Sequence, residues 1–142
     1  MDFSVDAEFQ KQIDWVENFV TEEIEPLDTF MRTRQDADGN ELTRDQWRAV
    51  FRYIGDLQQQ VKDQGLWGFH LGPELGGPGL GQVKLSLLNE ILGRTRMGPT
   101  LFGCAAPDTG NMELLAHNGT EEQKKKYLEP SLAGKMRSAY AM

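Results

Sequence analysis

The residues of this chain whose types could do chemistry are two histidines, one cysteine, a glycine-rich hexapeptide and a run of lysines. His70 and His117 lie far apart, and neither has a Cys, an Asp or a second His at metal-ligand spacing. Both therefore read as structural or solvated, and no metal site is expected. Cys104 sits among small apolar residues with no base or cation beside it, the setting of a buried and inert thiol. Gly76-Gly77-Pro78-Gly79-Leu80-Gly81 invites comparison with phosphate-binding loops. Neither Lys-Ser nor Lys-Thr follows it and no strand-like run precedes it, so it reads as a turn-rich connector. On a helix, Lys124-Lys125-Lys126 fan over more than half a turn and are offset by Glu121 and Glu122 at spacings of three and four, which suits a solvated face. Chemistry alone names no catalytic residue.

The elements that must position these groups are helical. Phe9, Ile13, Val16 and Val20 recur at spacings of three and four, so a helix is expected from Asp6 to about Ile24, ended or kinked by Pro26. The segment from Leu27 to Leu42 carries Asp36-Ala37-Asp38-Gly39-Asn40 and reads as a loop after a short helical extension. Thr43 and Gln46 form a capping box that opens a second helix, whose apolar stripe runs Trp47, Val50, Phe51, Ile54, Leu57, Val61. Gly65 is placed to stop it. The glycines and prolines from Gly65 to Gly81 exclude regular structure there. A third helix is expected from about Gln82 to Met97, before Gly98-Pro99. Asp108 or Thr109 can cap a segment through His117, closed by Asn118-Gly119. Thr120 and Gln123 repeat the capping box for a helix through Leu128, limited by Pro130. The expected fold class is all-α, a bundle of about five to six helices over residues 1–135, with the start of a β-strand over 136–142.

Composition sets the wider bounds. The 142 residues, 39% hydrophobic and 26% charged, suit one globular domain. Fifteen Lys plus Arg against 22 Asp plus Glu leave a net charge of −7, the wrong sign for binding nucleic acid or an anionic membrane surface. No apolar run approaches the roughly 18 to 20 residues of a membrane span. A single cysteine and an acidic start, Met1-Asp2-Phe3-Ser4, fit a soluble protein of the cytoplasm.

Order and spacing carry the reading further. Gly65-Leu66-Trp67-Gly68 is followed by Pro73-Glu74-Leu75-Gly76-Gly77-x-Gly79 and Asn89-Glu90-Ile91-Leu92-Gly93-Arg94. Then come Gly119-Thr120-Glu121-Glu122-Gln123-Lys124-Lys125-Lys126-Tyr127-Leu128, Leu132-x-Gly134 and Ala139-Tyr140-Ala141-Met142. In this order the pieces resemble the amino-terminal helical domain of the acyl-CoA dehydrogenase family, over about Phe9 to Met142. Ala106-Pro107-Asp108-Thr109-Gly110-Asn111-Met112-Glu113 is similar to the longer-chain branch that in animals is fused to kinase-like domains.

The resemblance implies an FAD-dependent enzyme that converts an acyl-CoA to a trans-2-enoyl-CoA, as in fatty acid β-oxidation, and passes electrons to an electron-transfer flavoprotein. It implies a middle β-domain of which 136–142 is the first strand, and a homo-oligomer, dimer or tetramer. Tyr140, Ala141 and Met142 match the first positions of the flavin-contacting strand, so they are the expected cofactor-binding residues. Phe102, Gly103, Ala106 and Gly110 fall on the acyl-pocket wall, and close packing between two helices explains the same small residues equally well. The family's catalytic glutamate lies in a later domain, so no glutamate here is given that role, and the chain is expected to be an inactive amino-terminal portion by itself. A non-catalytic helical binding module, and an oxidase or flavin monooxygenase of the same fold, are the competing expectations.

Overall fold

The computed structural model describes residues 5–141. Among them the chain builds six helices, counting runs joined through a wide turn as one. No helix among the described residues is long and apolar enough to cross a membrane.

The first helix runs past both residues expected to limit it. It comprises α1 (Ala7–Phe19), a π-turn (Val20–Ile24) and α2 (Glu25–Thr33), with Asp6 as the cap accepting from the Phe9 N–H. Pro26, expected to end or kink it, does not end it. An interior proline lacks an N–H and its ring crowds the carbonyl four residues back. Here the Glu25 N–H reaches back five residues to the Val20 carbonyl, and this widened turn makes room for the ring. The same device recurs near the other end. α7 (Glu121–Gln123), a π-turn (Lys124–Leu128) and α8 (Glu129–Leu132) form one helix through Pro130, with the Glu129 N–H bonded to the Lys124 carbonyl. Both sites read aliphatic-Glu-Pro, Ile24-Glu25-Pro26 and Leu128-Glu129-Pro130.

Both expected capping boxes form: Thr43 opens α3 (Arg44–Asp63) and Thr120 opens α7, each paired reciprocally with its glutamine. Gly65, at φ 69°, follows the end of α3. The stripe on α3 divides in two. Leu57 and Val61 are fully buried, whereas Trp47 is half-buried against Phe51, which is 63% exposed. The amino-terminal half of this 20-residue helix overhangs the core.

α4 spans Gly81–Leu92, five residues short of the expected end. The turn that follows is fixed by side chains. Thr95 Oγ1 donates to the Leu92 carbonyl and accepts from the Gly98 N–H, and the Asp28 carboxylate accepts from the N–H groups of Arg96 and Met97 at 2.5 and 2.9 Å. A short α5 (Gly98–Leu101), absent from the sequence expectation, then turns the chain into α6 (Asp108–Asn118). The core lies where α1, α2, α3, α4 and α5 meet. At its centre Phe102 packs edge-on to Phe19 and Phe69, with ring centroids 6.1 Å apart in each pair.

Residues 136–141 are neither helical nor paired as a strand among the described residues. Side chains of α6 hold them.

Candidate substrate and cofactor face

Two side chains organise the face where α6, α8 and the terminal segment meet. The first is Trp67, in the loop after α3. Its Nε1 donates to the Leu132 carbonyl at 2.8 Å, and Lys62 Nζ stands 4.4 Å from the ring centroid while donating to the Ala133 carbonyl. The indole lies against two glycines. A Cβ built on Gly103 or on Gly134 would fall 2.7 Å from a ring atom, and both residues have positive φ, 66° and 74°. Three segments distant in sequence are thus locked around one ring.

The second is Asp108. Both candidate caps of α6 go unused, because the helix begins with Pro107 at its cap position and no side-chain bond there. Asp108 turns instead to the terminal segment. One carboxylate oxygen accepts from the Ser138 N–H at 2.6 Å and from Ser138 Oγ at 2.7 Å, and the other pairs with Arg137 Nε at 2.5 Å. Asn111, one turn along α6, donates from Nδ2 to Ser138 Oγ at 2.8 Å. Burial pushes the Asp108 carboxyl up, but the Ser138 hydroxyl and amide together with Arg137 outweigh it and hold the acid below its ordinary range.

Between these two anchors lies a cavity of about 30 Å³ bordered by Gln58, Thr100, Ala105 and Met112, room for one or two water molecules. Beside it Leu114, Leu115, Tyr127 and Met136 line an apolar groove of about 390 Å³.

The residues expected to contact substrate divide between core and surface. Phe102 is fully buried in the aromatic cluster, and Gly103 is filled against by Trp67. Ala106 and Gly110 are exposed. Tyr140, 64% exposed, brings its hydroxyl over Gly110, 3.6 Å from where a Cβ would stand. Ala141 is also exposed, and Met142 lies outside the described residues. The face therefore joins one expected cofactor contact, Tyr140, to one expected substrate contact, Gly110.

The other reactive types are quiet. Burial pushes the Cys104 thiol up to about 12. Both ring nitrogens of His70 are enclosed without a hydrogen-bond partner among the described residues; burial lowers its pKa, and the Glu113 carboxylate opposes that shift. Sequence reasoning missed the roles of Trp67, Gly134 and Asp108. A tryptophan flanked by glycines was the only local sign of the first two, and Asp108 was legible as a cap, which is a different use of the same carboxylate.

Residues 6–135 match the family described as acyl-CoA dehydrogenase, N-terminal domain. This chain belongs to the acyl-CoA dehydrogenase family. Mouse acyl-CoA dehydrogenase family member 10 is 36% identical over 129 residues, covering 87% of this chain and 11% of that protein. Human acyl-CoA dehydrogenase family member 11 is 42% identical over 103 residues, covering 72% of this chain and 13% of that protein. A solved structure from Mycobacterium abscessus, assigned to the acyl-CoA dehydrogenases, superposes with a TM-score of 0.77 at 33% identity. It covers 94% of this chain and 33% of that one. The chain thus spans about a ninth to a third of the length of these relatives, the part that forms the amino-terminal helical domain. The likeness to members 10 and 11 agrees with the branch suggested by residues 106–113.

Proposed function

We propose that this domain serves an FAD-dependent acyl-CoA dehydrogenase that removes two hydrogens from the α and β carbons of an acyl-CoA, giving a trans-2-enoyl-CoA. The observation that carries this reading is the meeting of Tyr140 with Gly110, which sets the expected cofactor-facing segment beside the expected acyl-facing helix. Tyr140 is largely exposed with its hydroxyl over Gly110, and Ala106 and Gly110 are themselves small and exposed, so neither crowds an approaching ring or chain. The residues present therefore fit one edge of a flavin site. When bound, the flavin accepts the hydride and so supplies the redox chemistry of the reaction.

The chain's own residues orient rather than react. Tyr140 and Ala141 offer one side of the cofactor site, with Met142 continuing the match, while Gly110 and Ala106 border the acyl chain. Phe102 and Gly103 act behind them: Phe102 anchors the core under α5, and Gly103 admits Trp67, which fixes the turn into α6. The proton acceptor belongs to a later domain in this reading, as does most of the surface for a dimer or tetramer. An electron-transfer flavoprotein takes the electrons, and the protein works in the cytoplasm.

The test is turnover by the full-length protein. Incubation with acyl-CoA thioesters of graded chain length and an artificial one-electron acceptor should give a product two hydrogens lighter, with no oxygen consumed. Oxygen consumption without the acceptor would make the protein an oxidase or monooxygenase of the same fold. No product with any thioester would leave a binding module.

A further inference from the structure

We infer that Asp108 is a positioning residue that sets the register of the cofactor-facing segment against the acyl-facing helix. This rests on the flavin reading above and adds a residue to it that no motif assigns.

The argument begins with what Asp108 does not do. An aspartate at the start of a helix ordinarily accepts from that helix's own free N–H groups. Here both carboxylate oxygens are turned away from α6 to residues 137 and 138, thirty residues on. The side chain is only 13% exposed, so its charge is largely withdrawn from water and must be compensated by donors. Three donors do so, two of them on Ser138. A backbone N–H bonded to a carboxylate fixes the chain itself, not a rotatable side chain, and charge-assisted bonds of this length are the strong class.

Ser138 is saturated as well. Its hydroxyl donates to Asp108 and accepts from Asn111, so it has one orientation consistent with both neighbours. Asp108 and Asn111 lie three apart on α6, on one face, and Gly110 sits between them in sequence. The rigid piece formed by α6 and Ser138 therefore carries Gly110 on one side and, two residues after Ser138, Tyr140 on the other. Without the clasp, residues 136–141 have no helix or strand bonds of their own among the described residues to hold that spacing.

The test uses the full-length flavoprotein. D108A should raise the exchange rate of the Ser138 amide about tenfold and weaken flavin binding about tenfold, the range for lost charge-assisted bonds. D108N keeps an amide oxygen that can still accept from Ser138, and should fall nearer the wild type on both measures. S138A removes the hydroxyl without stranding a buried charge, and serves if D108A does not fold; it should also loosen flavin, with the melting temperature of the flavin-free protein nearly unchanged. Flavin affinity that stays at the wild-type value in D108A or S138A would overturn the positioning role, whether or not the Ser138 amide exchanges faster. A wild-type protein without flavin would instead overturn the reading on which the role rests.

Discussion

Gly103→Ala isolates the contact that holds the candidate face together. At φ 66° any L side chain pays roughly 1 to 2 kcal/mol for the left-handed backbone. The added Cβ would also lie 2.7, 2.8 and 2.9 Å from three ring atoms of Trp67. That ring cannot swing aside freely, because its Nε1 is bonded to Leu132 and its far edge abuts Gly134. Overpacking of this kind costs about 1 to 3 kcal/mol. The two effects together predict a loss of about 2 to 5 kcal/mol. Gly65→Ala is the matched control: φ is 69° and nothing lies within 4 Å of its Cβ, so only the backbone cost of roughly 1 to 2 kcal/mol applies. Urea denaturation of the two variants, followed by tryptophan fluorescence, should show Gly103→Ala less stable than Gly65→Ala by about 1 to 3 kcal/mol at an unchanged slope. Equal losses would mean that Trp67 does not rest on Gly103, and the three-segment lock would be wrong.

The divided stripe on α3 predicts that Leu57→Ala costs about 2 to 5 kcal/mol while Phe51→Ala stays within about 1 kcal/mol; a large loss from Phe51 would show that its end of α3 is covered. Cys104, with its thiol pushed up to about 12, should resist alkylation at pH 8 in the native protein and react at the free-thiol rate in urea, so equal rates in the two states would contradict its burial. Asp108 is depressed below 3.8 in the folded state, so its stabilising contribution is full above that value and is lost as pH falls through the lower folded pKa. Ser138 amide exchange, corrected for intrinsic rate, should stay flat from pH 7 to 5 and rise only below about pH 4; release of the segment already at pH 6 would show that another group holds it.

Local signals were legible in the sequence and long-range ones were not. Thr43 with Gln46, and Thr120 with Gln123, specify helix starts within four residues, and the structure realises both boxes. Gly65 marks the stop of α3 for a similarly local reason. Pro26 is legible as a place where the helix ends or kinks and Pro130 as a limit, but neither residue type says that the helix continues through it. Pro26 and Pro130 are each preceded by a π-turn that displaces the clash, and no residue type announces that turn. The residues after α4 leave the helix for a turn whose Arg96 and Met97 N–H groups are taken by Asp28, far along the chain on α2. The site shows the same limit. Trp67, Gly103 and Gly134 are 36 and 31 residues apart along the chain, and only packing explains why two of them are glycine. Asp108 offered a capping reading that its partners, Arg137 and Ser138, override. Family spacing nominated Tyr140 and Gly110 as candidates, and their juxtaposition needed the folded chain.

Anaerobic addition of acyl-CoA to the full-length protein, watched through its visible absorption, tests the central claim most directly. The account predicts a yellow protein whose flavin band bleaches in proportion to the thioester added and recovers when an electron acceptor is supplied. A yellow protein that keeps its colour through the whole chain-length series, or a colourless one, would contradict it.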